Sequence, residues 1–252
     1  MSIELLDKTR KINRLLNDRL SSKVAFSDIC SVLGQLLNSA AYIISNKGKI
    51  LGSYQMGEAE QLGGFQNKRG VFVDSQMNER FLGVLSTKEN ANLEILGFDR
   101  KEASGYCAMI TPISIRGDRL GTLFLYRKGN LYGIEDIILC EYSTTVVGLE
   151  IIRSDQEKLD KEANKKKNLT SALETLTPLE CTAVSCVIHE LNGKEDTLVT
   201  SQVAKKYGIT RTVMVNALRK LVSAGLIRTK SSGVKGTHIE IINDIVYTEF
   251  DN

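Results

Sequence analysis

The composition of the chain is that of an ordinary globular protein, and it excludes several classes at once. With 252 residues and 42% hydrophobic content, the chain can bury one large core or two smaller ones, so two domains are expected. The net charge of only +3 excludes a uniformly basic, histone-like protein and makes any basic character local. No apolar run approaches the ~18 residues of a membrane span and no signal-peptide core is present, so a cytoplasmic protein without membrane contact is expected.

The first 133 residues combine two helical patterns with two hairpin signals. Helices are predicted over Met1–Leu20 and Phe26–Leu37, where apolar residues recur at helical spacing. Alternating runs around short polar turns predict hairpins that pair Ala40–Ser45 with Lys49–Tyr54 and Tyr106–Ile115 with Leu120–Tyr126. Helices flanking an antiparallel sheet predict an α+β sensor domain of the GAF or PAS type over residues 1–133.

The stretch between the hairpins, residues 55–100, lacks strong periodicity and contains glycines and isolated aromatic residues. A loop of this length often encloses a ligand. Simple irregular packing explains the pattern equally well, so both readings stay open at this point.

A long helix follows the second hairpin. Its apolar period begins at Ile134 and is continued into the 160s by charged residues, with Glu157 four positions before Lys161. The pattern predicts a stiff linker, buried at its start and solvated later, within residues 134–176. A new domain, residues 177–252, then begins at Thr177-Pro178-Leu179-Glu180, where the residue types form a capping box with proline at the first helical position.

The last domain contains a helix-turn-helix pattern. Val203, Ala204 and Tyr207 share one face of a short helix, Gly208 suits a left-handed turn, and Ile209 is the expected buried turn residue. Thr210 is the expected cap of a second helix, whose inward stripe is predicted to be Val213, Ala217, Leu218 and Leu221. Two alternating runs, Leu226–Lys230 and Thr237–Ile242, flank a short glycine-rich loop and predict a wing.

The charge pattern of this domain points to duplex DNA. Eight Lys or Arg and no Asp or Glu lie between Thr200 and His238. A phosphate backbone repels carboxylates and gains affinity with each cation placed on it. The predicted contact residues are Ser201, Gln202, Thr210, Arg211, Thr212, Val215, Asn216, Arg219, Lys220, Lys230, Lys235 and His238.

The sequence also bears on two other classes of function, enzymes and protein-interaction adaptors. The two histidines, His189 and His238, lack a nearby nucleophile or metal-ligand pattern, so no catalytic residue is predicted and the chain is not expected to be an enzyme. A protein-interaction adaptor built on the same helices, or a sensor of a different small ligand, is the alternative to DNA binding. No metal site, cofactor or disulfide framework is expected, because the cysteines are odd in number and scattered: Cys30, Cys107, Cys140, Cys181 and Cys186.

Several motifs resemble those of the CodY family along essentially the whole chain. They are Lys8–Asn13, Gly48–Gly52, Arg119–Leu123, Glu141–Tyr142, Thr145–Gly148, Gly208–Arg211, Val215–Leu221, Ser223–Gly225 and Lys235–Thr237. The resemblance implies a GAF domain, a linker helix and a winged helix-turn-helix in a homodimer. It also implies a global repressor of nutrient-responsive and stationary-phase genes that binds AT-rich, near-palindromic DNA and senses branched-chain amino acids (isoleucine, valine, leucine) and GTP.

The resemblance further implies two effector sites. For the amino acid, Arg69 would hold the carboxylate, and the walls would be Val71, Phe72, Val73, Met77 and Phe98, although the family's Phe-Pro pair is absent from residues 67–77. For GTP, the matching residues are Phe26, Ser45, Lys47, Lys49 and Glu150, with Asn46 where relatives carry a basic residue. The chain lacks a Walker motif, so a nucleotide is expected to be sensed, not hydrolysed.

Overall fold

A computed structural model describes residues 3–17, 26–55, 62, 69–231, 233 and 236–250. The chain divides into two compact units, Met1–Asp155 and Gln156–Asn252. One continuous helix, α5 (Ile134–Thr175), includes the point of division. The domain limits expected at residues 133 and 176 stay predictions.

The described residues of the first unit confirm the predicted helices and hairpins, and residues 1, 2 and 18–20 of the first predicted helix lie outside them. Strands begin and end at turns where glycine takes a left-handed conformation, such as Gly48 with φ 79° and Gly117 with φ 91°. Before α5, the elements in chain order are α1 (Ile3–Asn17), α2 (Phe26–Leu37), β1 (Ala40–Ser45), β2 (Ile50–Tyr54), α3 (Ser75–Leu82), β3 (Lys88–Ala91), a 3-10 helix (Leu93–Leu96), α4 (Arg100–Ala103), β4 (Tyr106–Ile115) and β5 (Asp118–Lys128).

These strands form an antiparallel sheet of order β2-β1-β5-β4-β3. Successive side chains of a strand point to opposite faces, and both faces of β1 are buried. Ala41 and Ile43 face a core built with α1, α2 and the start of α5. Tyr42 and Ile44 face a second core built with α3 and the segments around it. The sheet is therefore covered on both sides.

The segment that was expected to lack regular elements, residues 55–100, contains α3, β3 and the 3-10 helix in its described part. Each helix is short and depends on its own cap. The Asp74 carboxylate accepts hydrogen bonds from the backbone N–H groups of Gln76 and Met77, and the Asn92 side chain accepts one from Glu94. Elements of this length are stabilised by caps and by the core beneath them, not by a repeating apolar period, which is why periodicity did not predict them.

The long helix α5 extends to Thr175, beyond the 160s in which it was expected to end. Its charged middle is exposed, but Leu169 and Ala172 near its end are buried in the core of the second unit. Burial of these apolar side chains stabilises the last turns.

The second unit contains the predicted helix-turn-helix and wing. After α5 its elements are α6 (Pro178–Glu190), β6 (Glu195–Leu198), α7 (Thr200–Lys206), α8 (Arg211–Ser223), β7 (Ile227–Ser231), β8 (Thr237–Ile241) and α9 (Ile245–Phe250). The strands form an antiparallel sheet of order β6-β8-β7, so β8 is central and β6 is a wing strand that was not predicted. The capping box at Thr177 and Glu180 has both of its hydrogen bonds.

Candidate nucleic-acid interface

The turn between α7 and α8 has the local geometry that its residue types favour. Gly208 has φ 69°, a left-handed conformation that costs other residues free energy. Ile209 is buried beside it. Thr210 caps α8, because its hydroxyl accepts a hydrogen bond from the backbone N–H of Val213.

The inward stripe of α8 differs at one position from the predicted one. Met214 is fully buried and Val213 only partly so, whereas the predicted stripe contains Val213 and not Met214. Counting from Met214, Leu218 and Leu221 lie at i+4 and i+7, which is the ordinary spacing of a helix face. Starting the stripe one residue early was wrong.

The opposite face of α8 is an open surface of mixed polar and basic character. Arg211, Thr212, Val215, Asn216 and Arg219 line one shallow depression of about 340 Å³. All five were predicted to contact DNA, and helical periodicity brings them together. Because four of them are exposed and Val215 is half-buried, the groups that could read base edges are accessible.

The remaining predicted contact residues lie on neighbouring elements. Ser201 and Gln202 are exposed in the first turn of α7. Lys230 and His238 are paired in register on β7 and β8. The His238 ring lies toward β6, with Nδ1 3.3 Å from the Thr197 hydroxyl oxygen. The predicted contact of Lys235 lies outside the described residues.

Some cations of the acid-free stretch are neutralised by carboxylates from outside it. Lys206 pairs with Glu190 at 2.6 Å, Lys220 with Glu180 at 2.7 Å and Arg228 with Glu240 at 2.7 Å. Each of these acids precedes or follows the stretch in sequence, so a count along the chain could not detect the pairing. Four cations make no ion pair or side-chain hydrogen bond with any described residue: Lys205, Arg211, Arg219 and Lys230.

This division changes the candidate set in two ways. Lys220 does not join the depression, because its ammonium is bonded to Glu180 and to the Thr175 carbonyl oxygen. Lys205 was not among the predicted contact residues, although it is an exposed cation at the end of α7. Its position in the acid-free stretch is the sequence feature that could have identified Lys205 as a contact residue.

The predicted amino-acid-binding residues separate into a buried and an exposed group. Val73, Met77 and Phe98 belong to the core beneath α3, and the Phe98 ring lies 6.4 Å from that of Phe124. Arg69 and Phe72 are exposed. Val71 is half-buried, and its carbonyl oxygen accepts a hydrogen bond from the backbone N–H of Ile50 at the outer edge of β2.

The predicted nucleotide-binding residues lie around the first hairpin and the start of α5. The Ser45 hydroxyl accepts a hydrogen bond from the Lys49 backbone, and Lys47 is exposed between them. The Lys49 ammonium lies 6.0 Å from the centre of the Phe72 ring, which brings Phe72 beside the nucleotide candidates and away from the other pocket residues. Phe26 and Glu150 are both buried, and the Glu150 carboxylate is 3.7 Å from Arg153.

A helix-turn-helix with an adjoining wing, in a chain that begins with an α+β sheet unit, defines a transcriptional regulator with a sensor domain. Models of the CodY GAF-like domain and the CodY helix-turn-helix domain match residues 4–175 and 194–252. The chain belongs to the CodY family. Both the predicted resemblance and the predicted fold class are confirmed.

Relatives named as global transcriptional regulator CodY are similar over nearly the whole chain. One from Clostridium botulinum (strain Okra / Type B1) is 45% identical, with 97% of each chain covered. One from Thermoanaerobacter sp. (strain X514) is 41% identical, covering 98% of this chain and 97% of its own. The cofactor-binding GAF domain of the nutrient sensor CodY from Clostridium difficile is 35% identical, covering 60% of this chain and 99% of its own, with a TM-score of 0.46.

The family membership confirms that the chain is a regulator with a GAF and a helix-turn-helix domain, and not an enzyme. Within the described residues, no helix is both long and apolar enough to cross a membrane.

Proposed function

We propose that this protein is a homodimeric DNA-binding regulator, mainly a repressor of nutrient-responsive and stationary-phase genes. Its targets are AT-rich, near-palindromic sites, and branched-chain amino acids and GTP raise its affinity for them. The observation that carries the DNA-binding proposal is the surface of α8, where Arg211 and Arg219, which make no ion pair with any described residue, flank hydrogen-bonding and methyl-bearing side chains in one depression.

The residue types on α8 support an AT-rich target. The Asn216 amide can donate to N7 and accept from N6 of adenine, and the methyl groups of Thr212 and Val215 suit the thymine methyl group. Arg211 and Arg219 supply charge for the flanking phosphates. A helix that enters the major groove from each protomer of a dimer selects two half-sites at a fixed spacing.

The homodimer proposal is supported by an apolar stripe on α5. Ile134, Ile138, Leu149 and Ile152 recur at helical spacing and are between 43% and 70% exposed. A second copy of the same stripe is the occupant that a symmetric pair would supply. Leu149→Glu is expected to shift the sedimenting species from dimer to monomer. Asn164→Glu, which adds the same charge at an exposed position of α5 off the stripe, is expected to leave it dimeric.

The amino-acid proposal is supported by the grouping of Val73, Met77 and Phe98 in one apolar core, which suits a branched side chain. Arg69 is the proposed partner of the ligand carboxylate. In calorimetric titration of the unaltered chain with isoleucine we expect binding, and Arg69→Ala is expected to weaken it roughly tenfold because a charge-assisted hydrogen bond is lost. Arg100→Ala, an exposed arginine of α4, is the matched control.

The GTP proposal is supported by two exposed lysines, Lys47 and Lys49, on either side of the left-handed Gly48. Ammonium groups in this arrangement suit phosphates, and the Glu150 carboxylate is the proposed acceptor for the paired donors of guanine. The Lys47→Ala/Lys49→Ala double variant is expected to lose GTP binding while it keeps isoleucine binding. Loss of both ligands would instead indicate a damaged domain.

Fluorescence anisotropy with an AT-rich palindromic duplex tests the whole proposal. The unaltered chain is expected to bind, and isoleucine with GTP is expected to tighten binding by roughly 5- to 150-fold, the range of typical allosteric couplings. Arg219→Ala is expected to weaken binding roughly tenfold, while Lys101→Ala, with the same charge change in the first unit, is expected to have little effect.

Each other outcome has its own meaning. Binding that ignores isoleucine and GTP would leave DNA binding in place and indicate a different effector. An absence of salt-dependent DNA binding would favour a protein-interaction adaptor. The repressor role is tested by transcription in vitro, where the protein with both effectors is expected to reduce transcript from a promoter that overlaps the site.

A further inference from the structure

Lys220 differs from the other cations on α8. Its ammonium donates to the Thr175 carbonyl oxygen at 2.7 Å and to Glu180 Oε2 at 2.7 Å. The Lys220 side chain is 35% exposed and that of Glu180 only 9% exposed. Arg219, the preceding residue, makes no such contact with any described group and faces the depression.

The first acceptor of Lys220 is the end of the long helix. Thr175 is the last residue of α5, and the last carbonyls of a helix have no partner within it. The negative end of the helix dipole lies there, so an ammonium is stabilised at that point. Lys220 therefore caps α5 from another element.

The second acceptor is the capping box that begins α6. Glu180 Oε2 also accepts the backbone N–H of Thr177, at 2.8 Å. One carboxylate oxygen thus closes the N-terminus of α6 and holds Lys220, and the Lys220 hydrogen bond is the main cause that lowers the Glu180 pKa. The end of α5, the start of α6 and the C-terminal half of α8 meet at this ammonium.

We propose that Lys220 is a positioning residue for DNA binding and does not contact phosphate. It sets the place of the recognition helix α8 against the last turn of α5, the helix that begins in the first unit. Two of its three donors are already used and its charge is compensated by Glu180, which leaves it poorly suited to a phosphate. This inference rests on the proposed DNA-binding function.

Glu180→Gln separates positioning from simple electrostatics, because the two predict opposite changes in DNA affinity. Removing a carboxylate from a DNA-binding domain strengthens attraction to phosphates, so electrostatics alone predicts tighter binding. The neutral amide of the variant holds the ammonium less strongly. Positioning therefore predicts weaker binding by Glu180→Gln, in the same direction as Lys220→Met.

The experiment measures the affinity of the full chain for the AT-rich duplex over a series of salt concentrations. Each phosphate contact contributes about 0.9 to the slope of log affinity against log salt. Arg219→Ala is expected to reduce the size of the slope by about the contribution of one such contact. Lys220→Met and Glu180→Gln are expected to weaken binding roughly fivefold to tenfold with the slope unchanged, and the double variant is expected to be no weaker than Lys220→Met alone.

The inference would be overturned by a slope for Lys220→Met that falls as it does for Arg219→Ala, or by tighter binding of Glu180→Gln. Lys220→Arg keeps the charge and donors and is expected to restore most of the affinity; if it binds as weakly as Lys220→Met, the positioning role is also excluded. Melting curves of all variants identify any that fail to fold. If Lys220→Met fails to fold, the direction in which the near-isosteric Glu180→Gln changes DNA affinity still tests the inference. If the unaltered chain fails to bind DNA, the proposed function itself is wrong, and the inference with it.

Discussion

The α8 surface of the second unit and the effector candidates of the first unit are built in different ways. The five residues of the α8 depression lie on one helix, within Arg211–Arg219. The effector candidates are spread over α2, the first hairpin, α3 and its flanking segments, and α5. A site on one helix is therefore assembled by local geometry, whereas a site gathered from many elements depends on how those elements pack.

Two arginines of the first unit have a different role from the two arginines of the α8 depression. In the first unit, Arg119 donates to the carbonyl oxygens of Phe81, Val84 and Gly121. Arg127 pairs with Asp136 at 2.8 Å and lies over a tyrosine ring. These cations hold the fold together. Arg211 and Arg219 in the second unit have no such described partner, which leaves their charge for a ligand.

The largest expected effect concerns two glycines that are needed for different reasons. A Cβ on Gly121 would lie 2.2 Å from the Ile44 carbonyl oxygen, a clash imposed by the neighbouring strand. Gly208 has open space around it and needs only its φ of 69°. Gly121→Ala is expected to lower the free energy of unfolding by about 3 kcal/mol, and Gly208→Ala by about 1 kcal/mol. Urea denaturation measures both. Equal losses would contradict the distinction between packed and local requirements.

A smaller effect is expected from Arg119, whose guanidinium ties the end of α3 to β5. Arg119→Met would leave partly buried carbonyl oxygens without their charged donor, so we expect a loss of about 2 kcal/mol in the free energy of unfolding. Arg116→Met changes an exposed arginine at the adjoining turn and is expected to stay within about 0.5 kcal/mol of the unaltered chain. If the two variants were equally stable, the role of Arg119 in the fold would be disproved.

The second unit is expected to be the more sensitive to acid. Lysine partners lower the pKa of Glu180, Glu190 and Asp244 in the second unit, and a lysine partner lowers that of the exposed Glu4 in the first. A lowered folded-state pKa contributes stability above the ordinary pKa of 4.5 for Glu, and that stability is lost as the pH falls through the folded value. Hydrogen exchange, corrected for its intrinsic pH dependence, should therefore show protection lost from the second unit first as the pH falls below about 4.5. Earlier loss of protection in the first unit would contradict this prediction.

The smallest effect concerns thiol reactivity in the native protein. Burial raises the pKa of Cys30 and of Cys140 in the first unit, whereas Cys181 in the second is only half-buried. Alkylation followed by mass spectrometry is expected to modify Cys181 at least roughly tenfold faster than the other two. Comparable rates at all three would mean that the first unit opens readily.

The features that the sequence predicted well have causes that lie within a few residues. The capping box at Thr177 and Glu180, the left-handed Gly208 and the cap at Thr210 each depend on hydrogen bonds or dihedral angles of neighbouring residues. The outward set on α8 follows from helical period alone, which places residues three and four apart on one face. The hairpins likewise depend on short turns between alternating strands.

The tertiary structure decided what local patterns do not contain. Lys220 and Glu180 are 40 residues apart, Lys206 and Glu190 are 16 apart, and Arg228 and Glu240 are 12 apart. Only the packing of α6, α7, α8 and the wing brings these charges within reach, so only the fold separates neutralised cations from available ones. Pairing along the edge of β2 likewise assigns each side chain of the adjoining segment to a face. Phe72 therefore faces solvent beside Lys49, while the next residue, Val73, is buried. Sequence patterns determined the strongly periodic helices, the hairpins and the α8 surface, and long-range packing determined which of their polar groups remain free to bind.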